Sequence, residues 1–318
     1  MSESLEGRTI VVTGASDGIG RAATRAYVER GADVLMIGRN EAKTAAAAAR
    51  IMSETGRRTV TWEIADLSRL DAVRDLAARI RDRHPRIDTL ANNAGAVFLE
   101  RELTVDGLER TFALNHLQYF LLSLQLLDRL AAAARPGRPA RIINVSSRAH
   151  QTAALDTGDL QLARGFGGWR AYANSKLCNI LFTRALARRL DASLVVTHAL
   201  HPGVVSTRFA VNNGARGRLM RRVMDFVSVD ANAGADTLVW LSAHDDAVHT
   251  TGDYWVKRRR RTPSRAALDD ATGERLWVES ARLAGVDADS LITSAMTGVG
   301  RGDGGPDALS EVARPRPA

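Results

Sequence analysis

Six short runs of mostly apolar and β-branched residues recur through the first two hundred positions: 9–12, 33–39, 59–65, 87–92, 141–145 and 194–200. Helix-length segments separate them, at 21–30, 41–55, 70–83, 105–134 and 169–190. This alternation restricts the chain more than any other feature. Strand-sized runs joined by helices build βαβ units, and these pack as a parallel sheet with helices on both faces. Each crossover is then right-handed. Tyr254-Trp255-Val256 supplies a further candidate strand, so the expected fold is an α/β doubly wound parallel sheet of about seven strands. His84-Pro85 and Arg135-Pro136-Gly137 stop two of the helices. With no internal repeat and no linker before residue 290, residues 1–290 read as one domain. Residues 291–318, with Gly298 to Pro306 and a Pro-Arg ending, read as a disordered tail.

The first strand runs into TGASDGIG, residues 13–20, and a helix follows. Gly14, Gly18 and Gly20 therefore lie on a strand-to-helix turn. A helix N-terminus presents unpaired N–H groups and a partial positive charge, which suit a phosphate. The G-x-x-x-G-x-G spacing differs from the common dinucleotide fingerprint, and its neighbours must decide its meaning. Those neighbours are four clusters at later strand ends, where an open parallel sheet binds its ligands. Arg39 ends the second strand, where a basic residue suits a ribose 2′-phosphate and an acidic one a 2′-hydroxyl. Asp66-Leu67 ends the third, Asn92-Asn93-Ala94-Gly95 the fourth and Ser146-Ser147 the fifth. On the following helix, Tyr172 and Lys176 are four apart and share a face. A nearby ammonium favours a phenolate and lowers its pKa, so Tyr-x-x-x-Lys is a compact proton-transfer group.

Taken in order, Thr13-Gly14-x-x-x-Gly18-x-Gly20, Asn92-Asn93-Ala94-Gly95, Ser147, Tyr172-x-x-x-Lys176 and Pro202-Gly203 resemble the short-chain dehydrogenase/reductase family of the classical type. The resemblance covers about residues 7–290. LNHLQYFLL, INVSSRAH, NSKLCNILFTRALARRL and LDDATGERLWVESARLAGV are similar to its retinol-dehydrogenase-like branch. The resemblance implies a Rossmann fold, an alcohol/carbonyl oxidoreductase and a nicotinamide dinucleotide. It implies that Tyr172 exchanges the proton and that Lys176 lowers the Tyr172 pKa and holds the nicotinamide ribose. Ser147 would hydrogen-bond the substrate oxygen, and Asn115 would support a water linked to Lys176. Gly14, Ser16, Gly18, Ile19 and Gly20 would hold the cofactor with Arg39. Asp66 and Leu67 would contact adenine, and Asn93, Ala94 and Gly95 the adenosine side. Pro202, Gly203, Val205 and Thr207 would lie on the nicotinamide side. NADP(H) is expected over NAD(H), because Gly38-Arg39-Asn40 holds no acid, although Asp17 in the Gly-rich turn weighs against it. Family members often dimerise through the two helices that carry Asn115 and Tyr172, so a homodimer is an expectation.

Several features bound the alternatives. The interval from Ser147 to Tyr172 is longer than in typical classical members, and the extra loop, 148–168, would border the substrate with 206–229. The substrate expected is a small carbonyl or alcohol compound, such as a lipophilic aldehyde or a secondary-metabolite ketone. A net charge of +8 raises nucleic-acid binding, but no zinc spacing, aromatic RNA motif or helix-turn-helix supports it. Lys257 to Arg261 reads as a solvated basic segment. A dinucleotide-sensing protein without chemistry would not need Asn115, Ser147, Tyr172 and Lys176 together. Metal ligands are not expected. Cys178 is the one cysteine, which excludes an intrachain disulfide and suits a reducing compartment. The first seven residues lack a basic and an apolar region, and no run of about 18 apolar residues occurs, so a cytoplasmic protein without membrane association is expected.

Overall fold

A computed structural model describes residues 4–203 and 230–298. Eight strands form one sheet: β1 Thr9–Thr13, β2 Asp33–Gly38, β3 Val60–Ile64, β4 Thr89–Asn92, β5 Ala140–Val145, β6 Val195–His201, β7 Tyr254–Val256 and β8 Arg259–Arg261. Their order is β3-β2-β1-β4-β5-β6-β7-β8. Every pair from β3 to β7 is parallel and β8 runs antiparallel to β7. The doubly wound sheet expected from the alternation is present. Its strand order reverses between β1 and β4, and that switch opens the crevice in which such sheets take ligands.

Helices α1 Gly18–Glu29, α2 Glu41–Thr55 and α3 Leu70–Arg83 follow the first three strands. Further along come α4 Arg110–Phe112, α5 Gln118–Gln125, α6 Leu127–Ala131, α7 Gly168–Ala187, α8 Ala231–Ala243, α9 Asp270–Ala284 and α10 Ala288–Gly298. One apolar core joins the sheet to α1, α2 and α8, through Tyr27, Ile51 and Leu238. The other joins it to α3, α5, α7, α9 and α10, through Leu76, Phe120, Phe182 and Trp277. No described helix is long and apolar enough to cross a membrane.

Three expectations are corrected. The helix expected from Val105 begins at Arg110. Val105 is exposed, Thr104 and Gly107 close a turn, and the buried Glu109 carboxylate caps the new start by accepting from Thr111 N and Phe112 N at 2.7 and 2.8 Å. The same stretch contains a π turn over Ala113–Leu117 and breaks again at Leu126. The folded chain runs past residue 290, because α10 buries Ile292 and Ala295. The sheet has an eighth strand beyond the seven or so expected: part of the basic run is the edge strand β8, whose arginines are all exposed as a solvated segment requires. Charge at an exposed edge discourages pairing with another chain. Lys257 and Arg258 make the two-residue connection with φ of 51° and 58°, the backbone of a tight hairpin turn. Thr237 Oγ1 and the Asp236 carboxylate on α8 hold Arg258 in place. Helix α7 buries 16 of its 20 residues, packed between the sheet and α9.

Candidate active site

The parallel sheet brings the expected clusters to one edge, the carboxyl ends of the strands. Next to the switch, Thr13 Oγ1 accepts from Asn93 N and Ala94 N at 2.9 and 3.0 Å. The Asn93 side chain donates to Thr13 O at 2.8 Å. Asn93 therefore braces the Gly-rich turn against β4, a part beyond the cofactor contact expected of it. A Cβ at Gly20 would lie 2.4 Å from Gly14 O and 2.6 Å from Asn93 Nδ2, so glycine lets α1 sit directly on the turn. Asp17 caps α1 by accepting from Gly18 N at 2.8 Å. Lys43, in the first turn of α2, reaches the same carboxylate at 2.9 Å. Ser16 and Ile19 are half-buried and Arg39 is exposed at the end of β2. Asp66 is spent on Ser68, accepting from its N and Oγ at 3.1 and 2.7 Å, beside the buried Leu67.

The catalytic candidates meet between β4, β5 and α7. Tyr172 is buried, and the Ser147 side chain acts on its phenol, favouring the charged form. Ser147 caps a 3-10 turn over Arg148–Thr152 and accepts from Ala149 N at 3.2 Å. His150, in that turn, donates from Nδ1 to Ser147 O at 2.6 Å and accepts at Nε2 from Ser264 N at 3.1 Å. It is a neutral tether that fixes Ser147, and burial holds its pKa below the usual histidine value. Asn115 lies in the π turn, a device that recurs at functional sites. Its Oδ1 accepts from Ala96 N and its Nδ2 donates to Ala96 O, both at 2.9 Å, so it ties the loop after β4 to this helix. Lys176 is buried, and its Nζ donates to Val145 O at 3.0 Å and lies 5.7 Å from the Tyr172 ring centroid. A Cβ at Gly95 would come 3.1 Å from Asn115 Oδ1, so glycine leaves the Asn115 side chain its room.

The electrostatics differ from expectation in one respect. Burial pushes the Tyr172 phenol up to about 12, and the nearby Ser147 side chain only partly offsets it. Burial likewise brings Lys176 down to about 7. Lys176 addresses the Val145 carbonyl instead of the phenol, and desolvation of both groups outweighs their attraction. In this state Tyr172 is an acid that keeps its proton at neutral pH. Pro202 and Gly203 follow β6 half-buried. Val205, Thr207 and the 206–229 loop lie outside the described residues. The 148–168 loop is pinned to α7, since Asn174 Oδ1 accepts from Ala154 N at 3.0 Å.

Sequence reasoning missed Trp169, the tether at His150 and the cation at Lys43. Trp169 is 52% exposed, and its ring centroid lies 5.6 Å from that of Tyr172. Its signal was available: a residue three before Tyr172 on a helix shares its face. Lys43 pairs with Asp17 across a fold contact that no local pattern reveals.

The residues fit a dinucleotide. The α1 N-terminus faces the switch, the glycines close the space a side chain would fill, and the cations Arg39 and Lys43 flank the turn. Among the described residues no cluster of metal-ligating side chains occurs. The family model described as short chain dehydrogenase matches residues 8–216. Human "Retinol dehydrogenase 13" is 36% identical over 294 residues, which cover 91% of this chain and 88% of that protein. The Streptomyces sp. (strain C5) protein named "Putative daunorubicin C-13 ketoreductase DnrU" is 38% identical, over 88% of this chain and 94% of its own. The solved structure "Pseudomonas aeruginosa RhlG/NADP active-site complex" has a TM-score of 0.63 and 28% identity, covering 79% of this chain and 94% of that one.

Proposed function

The chain belongs to the short-chain dehydrogenase family and is an oxidoreductase of that family, and on this premise we propose that it reduces a lipophilic ketone or aldehyde with NADPH. The observation that carries the reading is the buried meeting of Tyr172 and Lys176, the Lys176 Nζ 5.7 Å from the Tyr172 ring centroid, with Ser147 acting on the phenol. A reduced nicotinamide, when bound, supplies the hydride to the carbonyl carbon. Tyr172 donates its proton to the carbonyl oxygen as charge develops there, and Ser147 orients that oxygen by a hydrogen bond. Lys176 lies behind the phenol, where its positive charge stabilises the phenolate left after transfer. The Gly-rich turn, Asp66 and Asn93 to Gly95 hold the adenosine and phosphate portions, and Lys176 the nicotinamide ribose.

Two observations support the finer parts. Arg39 is exposed where the adenosine ribose is expected, and Lys43 neutralises Asp17, the one acid in the turn. Both favour a ribose 2′-phosphate. Around the Tyr172 ring stand Val97, Leu99, Ala149 and Ala153, with Trp169 at the rim. An apolar wall of this kind selects an apolar substrate through burial, at about 25 cal/mol per Å². The test is NADPH oxidation against a panel of aromatic, polyene and small aliphatic carbonyl compounds, with NADH in parallel. Turnover of bulky apolar carbonyls with NADPH is expected. No turnover of any carbonyl, or a preference for small polar ones, would overturn the proposal.

A further inference from the structure

We infer that Asn179, oriented by His116 and Ser280, is a positioning residue that sets the place and charge of the Lys176 ammonium. The inference rests on the reading of Lys176 as part of the active centre. Asn179 is fully buried and lies three residues after Lys176 on α7. Its Nδ2 donates to Asn115 O at 2.9 Å and to Val145 O at 3.2 Å. Lys176 Nζ donates to the same Val145 oxygen at 3.0 Å. A backbone carbonyl has two lone pairs, and here one takes the neutral amide and the other the ammonium. Asn179 therefore decides how much of that oxygen Lys176 can claim, and it locks the peptide two residues before Ser147.

The amide cannot flip without loss. With both Nδ2 hydrogens on carbonyls, Asn179 Oδ1 faces His116 Nδ1 at 3.3 Å, and that nitrogen must donate. His116 Nε2 then accepts from Ser280 Oγ at 3.0 Å. His116 is fully buried in the π turn beside Asn115, and burial holds it down to about 4, with Lys176 acting in the same direction. It stays neutral, with one donor and one acceptor, as the network requires. An unbroken path of four hydrogen bonds thus runs from Ser280 on α9 through His116, Asn179 and Val145 O to Lys176. The other titratable groups facing Lys176 are Tyr172 on α7 and Tyr119 on α5, their ring centroids 5.7 and 5.8 Å from Nζ. Burial holds Tyr119 well above the ordinary tyrosine value, so an alkaline limb in activity belongs to Lys176 and Tyr172 together.

Removing the amide hands both lone pairs of Val145 O to the ammonium. A hydrogen bond to the charged form favours it, so the limb moves to higher pH, and the displaced ammonium lowers turnover. The experiment is Asn179→Leu, close in volume, assayed for kcat, KM and cofactor affinity from pH 5 to 10. Asn179→Ala covers the case in which Leu impairs folding. Expected are a fall in kcat of about tenfold, in keeping with the cost of small misplacements, a carbonyl KM within about twofold, and an upward displacement of the alkaline limb in both variants. Ser280→Ala should move the limb the same way by less. An unmoved limb, with activity lowered equally at every pH or not lowered, overturns the inference. Tyr172→Phe run alongside separates the two levels. If it keeps its turnover, the catalytic reading itself fails; if it loses turnover while the Asn179 limb stays put, only this inference fails.

Discussion

Lys176→Met should stabilise the fold near neutral pH while it disables the enzyme. Burial brings the lysine from 10.5 down to about 7, and at about 1.36 kcal/mol per pH unit this is a cost of about 4–5 kcal/mol in the protonated state. Met keeps the stem but loses the hydrogen bond to Val145 O, worth about 1–1.5 kcal/mol. The variant should therefore be more stable by about 3 kcal/mol at pH 6. Because the folded-state value lies below the unfolded one, the unfolded chain binds the extra proton, and the cost is full below about pH 7. It fades as the pH rises toward 10.5, where wild type should be level with the variant or slightly ahead. Urea unfolding of both proteins at pH 6, 8 and 10 measures this directly. A variant that is less stable at pH 6, or a difference that does not change with pH, would refute the reasoning that desolvation dominates at Lys176.

The cofactor and substrate readings carry their own expectations. Arg39→Ala should weaken NADPH by roughly ten- to a hundredfold, since a charged hydrogen bond is worth about 1.5–3 kcal/mol, and should leave NADH unchanged; equal losses in a titration of both cofactors would sink the assignment. Lys43→Gln leaves Asp17 unneutralised and should lower the NADPH to NADH affinity ratio further, whereas an unchanged ratio would make that ion pair irrelevant to cofactor choice. Trp169→Ala should raise KM about tenfold for bulky aromatic ketones, about 1.4 kcal/mol of lost contact, and leave a small aliphatic ketone alone; equal effects on both would show that Trp169 only packs Tyr172.

Much of this architecture is written locally. Period and punctuation place β1 to β7, and α2 and α3 begin and end where the sequence puts them. The eighth strand escapes such reading because Arg259 to Arg261 carries no apolar alternation, and its pairing depends on the turn at Lys257-Arg258. The end of the domain is misplaced for a related reason. Residues 291–298 read as the start of a Gly-rich tail, yet Ile292 and Ala295 are buried on the helix Ala288–Gly298. In the site, Ser147, Tyr172 and Lys176 follow from residue type and spacing. Two things do not. Spacing says that Lys176 stands beside Tyr172, but only burial shows that the lysine comes down to about 7 and that the phenol rises. Asn115 is legible as a polar residue in an apolar helix, but its partners Ala96 and Asn179 come from distant segments that only the fold brings together.

The most direct measurement of the central claim is turnover by Tyr172→Phe, with cofactor affinity read in parallel. The substitution keeps the ring that packs against Trp169 and removes the one proton Tyr172 can give. The account predicts a fall in kcat of at least about a hundredfold, the usual worth of general acid catalysis, with NADPH affinity preserved. Near-normal turnover in the variant would contradict it.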